Sequence, residues 1–108
     1  MNYEIVDKNL IVKLSGELDH HVSESLRKKI DQYYTSKRLS NIVLDLRDLN
    51  FMDSSGIGLI MGRYKMCKEN KGNLSIVSTS PYVNRILKMS GIYKIINVFS
   101  TVDEAIKG

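Results

Sequence analysis

Apolar and polar residues alternate over residues 3–6 and again over residues 10–14. A period of two is typical of β-strands that bury one face. Residues 7–9, Asp-Lys-Asn, have the chemistry of a tight turn, so we predict an antiparallel hairpin at the start of the chain. Residues 15–19, Ser-Gly-Glu-Leu-Asp, are predicted to lead from this hairpin into the first helix.

A helical period begins at about Asp19 and continues to Ser36. The apolar residues of this stretch are spaced by four, four and three positions, which places them on one stripe of a helix. The stripe is predicted to face the sheet, and it consists of Val22, Leu26, Ile30 and Tyr33.

Strand and helix patterns alternate over the rest of the chain. Residues 42–46, Ile-Val-Leu-Asp-Leu, are mostly apolar and include β-branched side chains, as a buried strand requires. Serine, threonine and proline mark the helix starts, because these residues are common at the first positions of helices. The predicted elements are a strand at 42–46, a helix from Ser54 to about Asn70, a turn at 71–73, a strand at 74–78, a helix opened by Ser80 and Pro81 that ends at 90–91, a short strand at 94–99, and a short helix to Lys107 capped by Ser100 or Thr101.

This order of elements predicts an α/β fold with a mixed sheet of four to five strands and helices packed over the sheet. Strands joined by helices run parallel, so the carboxyl ends of the second, third and fourth strands share one rim. Three loops meet there, at 16–21, 47–55 and 79–81, and ligands of open α/β sheets usually bind at such a rim. The second loop is longer than usual and carries Phe51 and Met52, which either lie exposed beside the following serines or are tucked under the loop.

The composition fits one globular domain over residues 1–108, since 43% of the residues are hydrophobic and 26% are charged. No apolar run is long enough to span a membrane, and the N-terminus has no signal-peptide pattern, so we expect a cytoplasmic protein. The net charge of +4 is spread along the chain, which argues against nucleic-acid binding. Cys67 is the sole cysteine and is predicted to be a semi-buried apolar side chain.

Residues 51–58, Phe-Met-Asp-Ser-Ser-Gly-Ile-Gly, hold the candidate chemistry. Ser54 is predicted to lie at or near a helix N-cap, where free amides favour a negative charge. A P-loop is excluded because the glycines lack the Gly-Lys pair that it requires, and no set of His, Cys or carboxylate residues has metal-ligand spacing. Gly58 and Gly62 each cost about 1 kcal/mol in a helix, so they are predicted to allow close approach of the sheet or of a partner protein.

A small hydrolase is an alternative interpretation of the serines. Its parts would be a serine nucleophile, a histidine base and an orienting carboxylate, taken from Ser54 or Ser55, His20 or His21, and Asp19 or Asp53. The glycine that stands two positions before the serine of a nucleophile elbow is absent here. We therefore favour a serine that a partner modifies, in a chain whose function is to bind.

Four stretches of the chain resemble the anti-sigma factor antagonists that have a STAS domain, and among them the sporulation branch. The stretches occur in the same order, cover essentially the whole chain, and imply a single STAS-type domain with a mixed sheet, in agreement with the predicted order of elements. They are 16–21 (Gly-Glu-Leu-Asp-His-His), 51–58, 62–65 (Gly-Arg-Tyr-Lys) and 88–91 (Lys-Met-Ser-Gly).

The resemblance implies an anti-anti-sigma factor rather than an enzyme. Its partner would be an anti-sigma factor that is also a GHKL-type serine kinase and that holds a sporulation sigma factor inactive. The unphosphorylated chain would bind this kinase and release the sigma factor. Phosphorylation of Ser54, the serine after the aspartate of the motif, would end binding, and a PP2C-type phosphatase would restore it. The chain would need no cofactor, since ATP and Mg belong to the kinase. A general stress-response sigma pathway is the alternative within the family.

The shared rim adds a partner-binding surface around Ser54 to these expectations. Asp19 is interpreted either as an N-cap or as a contact to the partner, and the free chain is expected to be a monomer. The residues of the predicted surface are Asp19, His20, His21, Phe51, Met52, Asp53, Ser54, Ser55, Gly56, Ile57 and Gly58.

Overall fold

A five-stranded sheet forms the centre of the structure, a computed structural model that describes residues 1–108. The first two strands pair antiparallel, and the other neighbouring pairs are parallel. The predicted α/β fold with an N-terminal hairpin is therefore confirmed. In sheet order, which is also chain order, the strands are β1 Asn2–Val6, β2 Asn9–Leu18, β3 Asn41–Met52, β4 Leu74–Val77 and β5 Val98–Phe99.

Four α-helices and one 3-10 turn connect the strands. Because β2 to β5 are parallel and consecutive, right-handed connections place the first three helices on one face of the sheet. The last helix packs against β3, β4 and β5 and covers part of the other face. None of the helices combines the length and the apolar character needed to cross a bilayer. The helices are α1 His20–Ser36, α2 Ser54–Glu69, α3 Pro81–Met89 and α4 Val102–Lys107, with a 3-10 turn at Ile92–Lys94.

The core lies mainly between the sheet and α1, α2 and α3, where 21 buried residues form one cluster. The strand period of two divides β3 between the two faces. Ile42 and Leu44 belong to the main cluster, whereas Val43 belongs to a separate cluster of 4 residues beneath α4. Cys67 is fully rather than partly buried in the main cluster, so its predicted apolar role is confirmed and its burial is greater than predicted. Burial raises the pKa of its thiol to about 11.

The connections from β2 and β3 to their helices are much shorter than predicted. The loops expected at 16–21 and 47–55 are wrong, because both strands continue side by side as far as Leu18 and Met52. Two register shifts, opposite Lys13–Ser15 and Gly16–Glu17 of β2, each add one extra residue on β3, and the strands stay paired through this stretch. The backbone groups of these two polar segments therefore bond to each other, a long-range pairing that neither segment signals alone.

The predicted apolar stripe of α1 is confirmed at Leu26, Ile30 and Tyr33, which lie in the main cluster or pack against it, and is wrong at Val22. Val22 is 38% exposed, and the buried residues are Ser23, Ile30 and Tyr34. The hydroxyl of Tyr34 donates to the carbonyl oxygen of Ser40 at 2.7 Å, which ties this side of the helix to the start of β3. Tyr33 packs against the main cluster and also stacks on Tyr3 of the edge strand, with ring centroids 4.1 Å apart.

The last predicted strand is mostly wrong. Residues 94–97 are not part of the sheet, and β5 contains only Val98 and Phe99. A 3-10 turn precedes it, and Ile92 and Ile96 are both buried at a spacing of four, which is helical rather than extended packing. The final helix is confirmed, with Thr101 as its cap in a capping box with Glu104.

Candidate functional site

Two helices begin side by side at the rim with nearly identical caps. Leu18 and Met52 are paired at the ends of β2 and β3, and Asp19 and Asp53 follow them directly as the N-caps of α1 and α2. The Asp19 carboxylate accepts from the amides of His21 and Val22, at 2.9 and 3.2 Å. The Asp53 carboxylate accepts from the amide of Ser55 at 2.8 Å. The rim thus presents two neighbouring carboxylates, each held by helix amides.

Ser54 is the first residue of α2 rather than its cap. The side chain of Asp53 supplies the capping bond, so the serine hydroxyl is not needed to satisfy the helix. Ser54 is exposed, whereas Ser55 is half-buried and faces α1. The structure therefore places a free hydroxyl at the start of α2, beside a carboxylate and above buried residues.

Phe51 and Met52 separate, because consecutive strand residues point to opposite faces of the sheet. Phe51 is 39% exposed, and Met52 is 3% exposed and belongs to the core. Of the two alternatives left open by the sequence, Phe51 is therefore the exposed residue and Met52 is the buried one. Met52 therefore cannot form part of an exposed contact surface, and it packs beneath the rim as a core residue.

The three glycines of α2 have different surroundings. A Cβ atom on Gly56 would meet Met52 Cγ at 2.5 Å and Leu18 Cδ2 at 3.1 Å, so glycine is required for α2 to approach the sheet. A Cβ on Gly58 or Gly62 would meet nothing within 4 Å. The predicted close packing of Gly58 and Gly62 on the sheet is therefore wrong, and Gly56 has that role.

Gly58 and Gly62 line a groove between α1 and α2, with a volume of about 330 Å³. Ser55 closes the groove at the rim, and His20 and Ser23 of α1 lie opposite. The glycines leave this groove open at a cost in helix stability of about 1 kcal/mol each. Its place beside Ser54 makes it continuous with the predicted partner-binding surface.

A buried arginine forms the lower wall of this groove and was missed by the sequence analysis. Arg63 is 8% exposed, and its Nε lies 2.8 Å from Asp31 Oδ1 of α1. Burial lowers the pKa of the Arg63 guanidinium, against the opposing effect of Asp31. The pair joins the two helices below the rim. In the sequence, Arg63 is signalled only by its position. It stands between Ile60 and Cys67 on the buried face of α2, where an apolar residue is expected.

The two histidines are both exposed, and their rings lie 6.1 Å apart in an edge-to-face arrangement. The hydrogen bonds of the structure join neither His20 nor His21 to either serine, and the carboxylates of Asp19 and Asp53 are engaged by backbone amides. A nucleophile needs a base that contacts it and a third group that orients the base. The parts proposed for a hydrolase are present at the rim but are not connected.

Ile57, another residue of the predicted surface, is half-buried on α2 and packs against the main cluster. The N-cap role of Asp19 is observed, while its contact to a partner stays a prediction, as do the contacts of His20, His21 and Gly58. Gly56 is buried and, like Met52, supports the surface from beneath.

Comparison with known proteins agrees with this architecture. Residues 1–105 match the family model described as the STAS domain. The chain is 46% identical over 90 residues to an anti-sigma F factor antagonist of Paenibacillus polymyxa, covering 83% of this chain and 77% of that protein. The solved structure of the anti-sigma factor antagonist SpoIIAA in its unphosphorylated form superimposes with a TM-score of 0.85 at 33% identity, over 97% of this chain and 91% of that one.

The structure of the Bacillus cell fate determinant SpoIIAA in the phosphorylated form is similar as well. It matches with a TM-score of 0.77 at 32% identity, over 98% of this chain and 96% of that one. Both forms therefore share the overall fold of this chain. The protein belongs to the STAS-domain family, among the anti-sigma factor antagonists.

Proposed function

We propose that the protein binds an anti-sigma factor that is also a serine kinase, and that phosphorylation of Ser54 by this kinase ends the binding. The observation that carries the proposal is the position of Ser54 as the exposed first residue of α2, outside the cap formed by Asp53. A kinase can reach this hydroxyl without disturbing the helix. Ser55, one residue later, is half-buried and lines the groove, so it is the poorer acceptor.

Electrostatics at the rim explain how a phosphate there would act as a switch. The group adds a charge of about −1.5 to −2 at pH 7, directly beside the carboxylate of Asp53 and near that of Asp19. Binding of a partner would bury this charge, and an unpaired buried charge costs several kcal/mol. A loss of about 4 kcal/mol weakens affinity roughly a thousandfold. The phosphorylated rim would therefore release the partner through repulsion and incomplete solvation.

The change on phosphorylation is proposed to be local. The positive end of the α2 dipole and its free amides stabilise a phosphate at this place. Gly56 fixes the helix start against Leu18 and Met52, so the site has no loose segment to rearrange. The similarity of the chain to both forms of SpoIIAA supports a fold that persists. We expect amide NMR shifts on phosphorylation to be confined to residues around Ser54, and a rearranged strand or helix pattern would contradict a local switch.

The sigma factor released by this binding is proposed to be a sporulation factor of the F type. The support is the 46% identity to an anti-sigma F factor antagonist. Dephosphorylation by a PP2C-type phosphatase would return the chain to its binding form. ATP and Mg²⁺ would be bound by the kinase, and this chain would contribute the acceptor hydroxyl and the docking surface.

Phosphosite mapping tests the proposal. The purified protein is incubated with the anti-sigma F kinase of the same organism and Mg-ATP, and the products are analysed by mass spectrometry. We expect one phosphate, on Ser54. Ser54→Ala should still bind the kinase and accept no phosphate, and the matched control Ser55→Ala should both bind and be phosphorylated. Phosphate on Ser55, or none on either serine while the kinase is active on a known substrate, would overturn the proposal.

A further inference from the structure

Charged residues are divided unequally between the two ends of the sheet. At the carboxyl ends of the parallel strands, the connections and the helix starts carry acidic residues and neither lysine nor arginine. These acidic residues are Glu17, Asp19, Asp53, Asp103 and Glu104. The opposite end, where β2 to β5 begin and α1 to α3 finish, has the reverse character.

We call this opposite end of the molecule the basic end. The hydrogen bond from Lys8 Nζ to the Arg38 carbonyl oxygen, at 3.3 Å, joins the hairpin turn to the end of α1. The amide of Asn73 donates to Asn41 Oδ1 at 2.9 Å, which joins the end of α2 to the start of β3. Only Asp7 and Glu69 are acidic here. The exposed basic residues are Lys8, Lys37, Arg38, Lys68, Lys71, Lys88 and Lys94.

Exposed apolar side chains accompany these lysines. Met89, the last residue of α3, is 80% exposed, and Ile95, which directly succeeds the 3-10 turn, is 49% exposed. The whole stretch from Asn70 to Val102, which includes both residues, contains no Asp or Glu. Lysine near a helix C-terminus is favoured by the helix dipole, which accounts for Lys68 and Lys88. It also accounts for Lys37, the C-cap of α1, and for Lys71, which follows the C-cap of α2, but neither for Lys8 of the hairpin turn nor for the exposed methionine.

The chemistry of this surface discriminates between classes of occupant. Protein interfaces are depleted in lysine and enriched in arginine and aromatic residues, whereas the basic end is nearly all lysine. Single-stranded nucleic acid is bound in grooves where several aromatic side chains stack on the bases, whereas Tyr93 is the one exposed aromatic at this end and Met89 is its most exposed apolar side chain. Lysines with apolar side chains among them are typical of proteins that lie on anionic bilayers, where the ammonium groups contact the headgroups and the apolar groups enter the interface.

We propose that the basic end docks on an anionic lipid surface. The parallel strands then point away from the bilayer, and the acidic rim with Ser54 faces the solution at the far end of the molecule. The partner-binding surface stays accessible while the protein is bound to lipid. This proposal does not depend on the proposed function of Ser54, and either one can fail without the other.

Co-sedimentation with vesicles tests lipid docking. The full-length protein is mixed with vesicles of equimolar phosphatidylglycerol and phosphatidylcholine at low salt, and in parallel with pure phosphatidylcholine. We expect binding to the anionic vesicles only, and loss of binding as salt is added. Lys88→Ala with Lys94→Ala should weaken the partition coefficient about thirtyfold, since each lysine near an anionic surface contributes ~1 kcal/mol. Met89→Ser should weaken it further.

The matched control is Lys28→Ala with Lys29→Ala, which removes the same charge from exposed positions in the middle of α1. Docking through the basic end predicts a much smaller loss for this pair. Equal losses for the two pairs would show general attraction by net charge and would overturn the proposal. So would retention of the protein by polyglutamate or single-stranded DNA at a salt concentration where it does not bind vesicles.

Discussion

The starts of α1 and α2 share one cap geometry and differ in the residues that come next in the chain. The backbone angles φ and ψ are −108° and −175° at Asp19 and −112° and −168° at Asp53. Both carboxylates accept from the amide two residues later. After Asp53 come an exposed serine and Gly56, which presses the helix onto the sheet. After Asp19 come two exposed histidines and Val22, which stands partly clear of the core. The cap is therefore generic, and the chemistry is set by the first residue beyond it.

The largest expected difference concerns a negative charge at the first helical position. Phosphorylated Ser54 should bind the kinase about a thousandfold more weakly than the unmodified protein, a loss of about 4 kcal/mol, and Ser54→Asp should change affinity in the same direction. His20→Asp adds a charge at the equivalent position of α1 and should weaken binding less than Ser54→Asp. Titration calorimetry with the purified kinase measures all three affinities.

Equal effects of Ser54→Asp and His20→Asp would mean that charge anywhere on the rim opposes the partner. The special position of Ser54 would then lie only in its access to the kinase. Unchanged affinity after phosphorylation would remove the switch altogether.

The glycines of α2 should respond to alanine with opposite signs. Gly56→Ala places a methyl group against Met52 and Leu18, and overpacking of this kind costs about 1–3 kcal/mol of stability. Gly58→Ala places it in open space and should raise the free energy of unfolding by about 1 kcal/mol, because alanine is the better helix former. Urea denaturation of the two variants gives both values.

The same pair tests whether the groove between α1 and α2 receives the partner. If it does, Gly58→Ala stabilises the free protein yet weakens binding of the kinase. A variant that is both more stable and fully competent in binding would leave these glycines without a function in recognition.

The charge of Asp19 can be separated from its cap. Asparagine caps helices about as well as aspartate, so Asp19→Asn should preserve stability while removing a carboxylate from the rim. If the partner contacts this charge, affinity for the kinase should fall about tenfold, the equivalent of about 1.4 kcal/mol. Surface plasmon resonance at several salt concentrations measures the change. Unchanged affinity would limit Asp19 to its role as a cap.

The smallest expected effect tests the equivalence of the caps themselves. Asp19→Ala and Asp53→Ala should each lower the free energy of unfolding by about 1 kcal/mol, with the asparagine variants as controls near wild type. The loss at Asp19 should be equal to or slightly larger than the loss at Asp53, since the Asp19 carboxylate accepts from two amides, at 2.9 and 3.2 Å, and the Asp53 carboxylate from one, at 2.8 Å. A much larger loss for Asp53 would show that the α2 start depends on its cap for more than helix formation.

Local signals were enough to predict the order of strands and helices. Turn residues at 7–9 and the Ser80-Pro81 start correspond to the observed hairpin and α3. The joint extension of β2 and β3 was not predictable, because the second segment satisfies the backbone of the first across more than 30 residues of chain. The stripe of α1 was predictable from its helical period except at Val22, which is 38% exposed. The bond from Tyr34 to Ser40 and the stacking of Tyr33 on Tyr3 add contacts that the helical period does not signal.

The candidate site was likewise predictable where local sequence signals decide it, and not where contacts between distant residues do. The strand-to-helix position of Ser54 could be inferred from sequence pattern, and its neighbour Asp53 proved to be the cap. Which of Phe51 and Met52 is exposed depends on strand orientation, which could be assigned only once β3 was known to continue to Met52. The pairing of Arg63 with Asp31 joins residues from two helices, and neither residue identifies the other in the sequence.

A serine that lies outside its helix cap has a consequence for how long a signal lasts. Because the helix does not need the Ser54 hydroxyl, the two covalent forms of the proposed switch differ little in folding free energy, and neither relaxes spontaneously into the other. The state of the protein would be stored in a phosphoester bond rather than in a conformational equilibrium. Its lifetime would then be set by the enzymes that write and erase the mark, and temperature or weak ligands would not reset it.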